Sequence, residues 1–130
     1  IIILKRKREL RVATVITGSS DRDTCVLSTL KANLNHAKGV RLYSSLEVGE
    51  NVISVGSPSG LENTLGTGII SGLRQRKGQR LIQTTAEISP GSSGGGLFDL
   101  YGSLIGITTF LLKDAQALNF AISVEEFGID

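Results

Sequence analysis

The amino-acid sequence predicts an all-β protein, most simply a Greek-key barrel. Its apolar residues come in short runs rich in Val, Ile, Thr and Leu, and the separators between these runs carry Gly, Ser, Asn and Asp. No long stretch has the apolar period of an amphipathic helix. The 16 glycines among 130 residues suit the turns and strand kinks that a barrel requires.

The strands are predicted one by one from these apolar runs. They cover 10–17, 24–30, 51–56, 66–74, 80–85, 95–100, 103–112 and 118–123. Tight turns are expected around Gly78, in "RQRKGQR", and around Gly102, in "DLYGS". Short helical turns are expected only within 29–38 and from Val124 onward.

The composition narrows the class of protein. Hydrophobic residues make up 40% and charged residues 20%, which is typical of a globular domain. A net charge of +2 with few aromatic residues gives no basis for nucleic-acid binding, and no apolar run reaches the roughly 18 residues of a membrane-spanning helix. One His and one Cys cannot form a zinc site, so we expect no metal and no cofactor. The one cysteine, Cys25, is expected to be a small buried hydrophobe.

The segment "SPGSSGGGLFD" is the clearest candidate for chemistry. A flexible linker would continue in polar low complexity, but this segment runs into apolar strands on both sides. It also matches the G-x-S-x-G elbow of α/β-hydrolases, which requires a helix after the serine and a downstream His; here a strand is predicted, and no His follows Ser93. Glycines beside a serine can bring backbone N–H groups together and leave room for a substrate. The residues alone leave a catalytic loop and a structural glycine turn both open.

The chain resembles the trypsin-like proteases of the HtrA/Deg kind. The resemblance is carried, in order, by "VGENVISVGSPSGL", "GTGIISGLRQ", "LIQTTAEISPGSSGGGLFDLYGSLIGITTF" and "LNFAISVEEF". It implies a chymotrypsin-like double β-barrel. Residues 1–60 would hold the last part of the first barrel and the linker between barrels, and residues 61–130 would form a complete second barrel.

The resemblance also implies roles for individual residues. Ser93 would be the nucleophile, and the N–H groups of Gly91 and Ser93 would form the oxyanion hole. Asp23 in "DRDTCVL" would be the acid of the triad, with Asp21 as the less favoured choice. A turn or strand-start role for Asp23 is the alternative.

The same resemblance places Glu87 at the bottom of the substrate pocket, with walls that include Ile107, Thr108 and Thr109. An acid at this place would favour Lys or Arg before the scissile bond. Alternatively, Glu87 turns outward and pairs with a basic residue on the surface.

This chain departs from the family's pattern at the catalytic base. The base is a His that precedes the acid, whereas the only His here, His36, follows Asp23 and is expected to be a solvated loop residue. The opening segment "IIILKRKREL" resembles the strand that follows the base in this family, and the sequence begins without Met. We therefore expect the missing base upstream of Ile1 and expect the 130-residue chain alone to be inactive.

The predicted function is therefore a serine endopeptidase acting on polypeptide substrates, without nucleic acid or a membrane span. Whether the chain forms a homo-oligomer stays open. An extracytoplasmic location, the periplasm or cell envelope, is favoured by the resemblance only. The alternatives are a non-catalytic protease-fold module that binds peptides or partner proteins, and a structural β-domain.

Overall fold

The computed structural model describes residues 2–6, 9–29, 36–57, 64–113 and 116–128. Its regular structure is nearly all β, which confirms the predicted class. The strands are β1 Ile2–Arg6, β2 Glu9–Ser19, β3 Thr24–Thr29, β4 Asn51–Gly56, β5 Thr64–Arg76, β6 Gln79–Thr84, β7 Gly96–Asp99, β8 Leu104–Lys113 and β9 Gln116–Ser123. Within these described ranges, single-turn 3₁₀ helices cover Tyr43–Ser45 and Val124–Phe127.

Most predicted elements are confirmed within one or two residues of their ends. The β5–β6 hairpin turns at Lys77 and Gly78, both with positive φ, and the β7–β8 turn contains Gly102. The helical turn predicted from Val124 is also present, whereas the turn predicted within 29–38 falls largely on 30–35, outside the described residues. Strand β1 was not among the strands predicted from the apolar runs, but it lies in "IIILKRKREL", which resembles a strand of the family.

The chain divides into two compact units, Ile1–His36 and Ala37–Asp130. The first unit is an antiparallel sheet in the order β1-β2-β3. Because β2 lies in the middle, it has partners on both sides, and Ala13 at its centre is 1% exposed. Cys25 is exposed, so the prediction of a buried cysteine was wrong. The physical reason is that Cys25 lies on β3, an edge strand that, among the described residues, pairs with β2 on one side and contains no fully buried residue.

The second unit is a closed six-stranded barrel in the order β4-β5-β6-β9-β8-β7, antiparallel throughout. Strand β4 pairs with β5 on one side and with β7 on the other, so it is part of this barrel. The division between units therefore falls after His36, whereas the sequence predicted it after residue 60. The barrel core is formed by Leu46, Val52, Ile70, Ile82, Ala86, Leu97, Ile105 and Ala121.

An ionic cluster fixes the segment before β4 to the β7–β8 turn. The Arg41 guanidinium donates to Glu50 Oε2 at 2.8 Å and to Asp99 Oδ2 at 3.3 Å. Asp99 is 4% exposed, and its Oδ1 accepts the N–H groups of Tyr101 and Ser103, both at 2.9 Å. The hydrogen bond with Glu50 raises the pKa of Arg41 and lowers the pKa of the Glu50 carboxyl.

Across the described ranges, the structure contains no helix with the length and apolar character needed to cross a membrane.

Candidate functional site

The glycine-rich loop lies between β6 and β7 of the barrel. Its first half is a β-turn in which the Ser92 N–H donates to the Ser89 carbonyl at 3.0 Å. Pro90 takes the second position of this turn, and Gly91 takes the third with a φ of +91°. A proline followed by a residue with positive φ is typical of a type II turn. Gly91 is therefore required by the turn, because residues with a Cβ rarely adopt this conformation.

The two adjacent serines have different environments. Ser92 is 8% exposed, and its hydroxyl donates to the Ser89 carbonyl at 2.6 Å. Ser93 is exposed, and none of the described residues forms a hydrogen bond with its hydroxyl. Ser92 therefore closes the turn, whereas the Ser93 hydroxyl is accessible to a ligand.

The backbone N–H groups of the loop also fall into two sets. Those of Gly94 and Gly95 donate to the carbonyls of Thr108, at 2.8 Å, and Ser92, at 3.1 Å. In the part of the chain that the structure describes, the N–H groups of Gly91 and Ser93 form no hydrogen bond. Within the serine-bearing half of the loop, residues 91–95, the two amides predicted for the oxyanion hole are thus the ones without an internal partner.

Strand β8 holds the second half of the loop through Thr108, which is 3% exposed. The Thr108 N–H donates to the Gly95 carbonyl at 2.8 Å. Its hydroxyl lies 2.9 Å from the Ser92 carbonyl oxygen and 3.2 Å from that of Gly95. On the opposite side the loop lies against β4, where a Cβ on Gly95 would overlap the carbonyl oxygen of Val55. The loop is therefore fixed between two strands of the barrel.

The loop borders two neighbouring cavities. A cleft of about 310 Å³ is lined by Val55, Gly56, Ser57 and the five residues 91–95. A smaller cavity of about 60 Å³ has a lining that includes Ser54, Thr64–Gly66, Glu87–Ser89, Ser92 and Thr108. The two cavities share Val55, Gly56 and Ser92. Of the predicted pocket residues, Glu87 and Thr108 lie together at the smaller cavity, while Ile107 and Thr109 line neither.

Glu87 is exposed at the smaller cavity, and its backbone is fixed by the barrel. Its carbonyl accepts the Ser54 hydroxyl at 3.0 Å, and its carboxylate accepts the Ser89 hydroxyl at 3.3 Å. The preceding carbonyl, of Ala86, accepts the Asn119 amide at 3.1 Å. Within the described ranges, Glu87 forms no ion pair with a basic residue, so the outward ion pair considered from the sequence is not observed there.

Asp23 belongs to the first unit, where it ends a turn. Its N–H lies 3.3 Å from the Ser20 carbonyl, and its φ is +52°, a conformation that Asp tolerates better than most residues. Asp23, Asp21 and His36 are all exposed. The turn geometry agrees with the local role considered for Asp23, and its catalytic role stays a prediction.

Two residues that support the site could not have been identified from the sequence pattern. Ser54 and Asn119 fix the segment before the serines, although they lie 33 residues away from the carbonyls they bind. No local motif marks them. Their hydrogen-bonding side chains on predicted strands are the only signal that the sequence offers.

A closed antiparallel barrel that presents an exposed serine on a glycine-rich loop is the arrangement expected of a serine-peptidase domain. The family described as "Trypsin-like peptidase domain" matches residues 3–107. The chain therefore belongs to the trypsin-like peptidase family, which confirms the resemblance stated from the sequence.

The individual relatives are named as Do-like, DegP-like and HtrA-type proteases. The chain is 40% identical over 129 residues to "Protease Do-like 1, chloroplastic" of Arabidopsis thaliana, with 89% of this chain and 29% of the relative covered. It is 32% identical over 133 residues to a "Probable periplasmic serine endoprotease DegP-like" of Hahella chejuensis, with 94% and 27% covered. The solved structure "HtrA-type protease AlgW with decapeptide" superposes with a TM-score of 0.81 at 30% identity, covering 93% of this chain and 39% of that one. The chain thus spans less than a third of the length of these two curated relatives.

Proposed function

We propose that this chain is the nucleophile-bearing part of a serine endopeptidase that cleaves polypeptides through an acyl-enzyme on Ser93. The observation that carries the proposal is the contrast within the loop. Ser93 is exposed and its hydroxyl has no partner among the described residues, and the N–H groups of Gly91 and Ser93 form no hydrogen bond there, whereas those of Ser92, Gly94 and Gly95 do.

The chemistry follows from that arrangement. Ser93 Oγ attacks the carbonyl carbon of the scissile peptide bond while a base takes its proton. The carbonyl oxygen becomes an oxyanion, to which the N–H groups of Gly91 and Ser93 donate. The tetrahedral intermediate collapses, the C–N bond breaks and the protonated amine leaves. Water then hydrolyses the acyl-enzyme and regenerates the serine.

The family's base is a histidine that precedes the acid, and this chain has no histidine ahead of Asp23. We propose Asp23 as the acid that orients the base, and a histidine outside this chain as the base itself. His36 follows Asp23 in the sequence and takes no part in this proposal. Because losing the histidine of a triad costs on the order of a million-fold in turnover, the 130-residue chain alone is expected to be inactive.

Polypeptides are the substrate class that the relatives favour. Two solved relatives are described as an HtrA-type protease with a decapeptide and with a tripeptide. Glu87 adds a preference for Lys or Arg before the scissile bond, because its carboxylate is exposed at a cavity next to the nucleophile loop and has no basic partner among the described residues. Relatives named periplasmic and chloroplastic favour an extracytoplasmic or organellar compartment.

The neighbouring serine provides the matched test. In the complete encoded protein, Ser93→Ala should abolish both casein hydrolysis and labelling by a fluorophosphonate. Ser92→Ala should keep both and lose stability by about 1 kcal/mol, the value of one hydrogen bond. Labelling that survives in Ser93→Ala would show that another residue is the nucleophile.

A non-catalytic peptide-binding module is the second candidate, favoured by the position of the only histidine after Asp23. It predicts that the complete protein binds unfolded polypeptides but neither cleaves them nor reacts with the fluorophosphonate. The same labelling experiment therefore separates the two functions.

A further inference from the structure

We propose that Thr108 is a positioning residue for the oxyanion hole, acting through the peptide bond between Ser92 and Ser93. By bonding the Ser92 carbonyl, its hydroxyl directs the Ser93 N–H into the cleft. The inference deepens the proposed function and rests on it for its catalytic consequence.

The planarity of the peptide bond carries the geometric step. In a trans peptide, the C=O of one residue and the N–H of the next point in opposite directions. The Ser92 carbonyl oxygen lies 2.9 Å from the Thr108 hydroxyl, on the side of β8. The Ser93 N–H therefore points away from β8, and none of the described residues accepts it.

The hydroxyl adds a constraint that the backbone alone does not give. The Ser92 carbonyl also accepts the Gly95 N–H at 3.1 Å, and the Gly95 carbonyl also accepts the Thr108 N–H at 2.8 Å. Without the hydroxyl, both carbonyls would keep one hydrogen bond and the loop would stay closed. The Ser92–Ser93 peptide plane would then be held by a single turn bond and could rotate more freely.

Burial makes this hydroxyl effective. Thr108 is 3% exposed, so solvent competes little for the Ser92 carbonyl on that side. A hydroxyl has one proton, which is shared between the two carbonyl oxygens at 2.9 and 3.2 Å. Removing the Thr108 hydroxyl should therefore affect the orientation of the Ser92–Ser93 peptide more than the fold of the barrel.

The test in the complete protein uses Thr108→Val, which removes the hydroxyl and keeps the shape, and Thr108→Ser, which restores the hydroxyl. Thr67→Val, at an exposed threonine of β5, is the control. Thr108→Val should lower kcat by about 10- to 100-fold with KM little changed, somewhat less than the loss of a whole oxyanion-hole donor. Thr108→Ser should recover most of the kcat, and the control should match the wild type.

A second readout does not require activity. In the ¹⁵N-labelled 130-residue chain, Thr108→Val should shift the Ser93 amide resonance and change its hydrogen-exchange rate, whereas Thr108→Ser should leave both near the wild-type values. The inference is overturned if the Ser93 amide does not respond, or if Val and Ser variants lose kcat equally. If the wild-type protein proves inactive, the proposed function fails, and the amide measurement still decides the role of Thr108.

Discussion

Replacing Arg41 with Met should destabilise the barrel by about 2 kcal/mol at neutral pH. The change removes the guanidinium that bridges Glu50 and Asp99 and that also donates to the Ser45 carbonyl at 2.8 Å. Breaking a fully buried ion pair costs roughly 3–5 kcal/mol. The cost here is smaller because the Arg41 side chain is 28% exposed and Asp99 keeps two backbone N–H donors.

The assay is urea unfolding of the 130-residue chain, followed by circular dichroism because the sequence contains no Trp. Arg80→Met is the matched control: Arg80 also contacts two carboxylates, those of Glu125 and Glu126, but it is 45% exposed. The Glu126 side chain is only 6% exposed, but because Arg80 itself keeps much of its contact with water, its loss should cost about 1 kcal/mol or less. If Arg41→Met costs no more than Arg80→Met, the ionic cluster does not stabilise the barrel as inferred.

The same cluster predicts a pH dependence. The hydrogen bonds from Arg41 lower the pKa of Glu50 below its usual value near 4.5, so the stabilisation is fully present above that value. It is lost as the pH falls through the lowered pKa, while the raised pKa of Arg41 matters only in strong alkali. The difference between wild type and Arg41→Met should therefore shrink in acid; a constant difference down to about pH 2 would contradict the assignment.

Two further substitutions test the loop and the pocket. Gly95→Ala should destabilise the barrel by about 1–3 kcal/mol in the same urea assay, because its Cβ would overlap the Val55 carbonyl. Gly39→Ala is its control, since apart from its chain neighbours no atom of the described residues lies within 4 Å of the added Cβ, and equal stability of the two variants would refute the reasoning. In the complete protein, Glu87→Gln should lower kcat/KM about tenfold for fluorogenic peptides with Lys before the scissile bond and leave those with Val unchanged, as expected for one charge-assisted hydrogen bond. An equal loss for both peptides would assign Glu87 to loop structure.

The sequence by itself determined most of the strands and singled out the glycine-rich loop as the candidate site. Strands and turns were predictable because apolar residues in short runs and glycines at turns act through their immediate neighbours. The hairpin at Lys77 and Gly78 and the turn at Gly102 are of this kind. Ser93 was singled out because its flanking glycines and the resemblance agree on the same loop.

Only the tertiary structure decided which groups of that loop are engaged. Closure of the barrel depends on β4 pairing with β7, and the ionic cluster joins Arg41 to Asp99, 58 residues later. The burial of Ser92 and the bonds from the Thr108 hydroxyl likewise depend on strands that are distant in the sequence. Local patterns fix backbone conformation residue by residue, whereas burial and hydrogen-bond partners are set by segments that meet only when the chain folds.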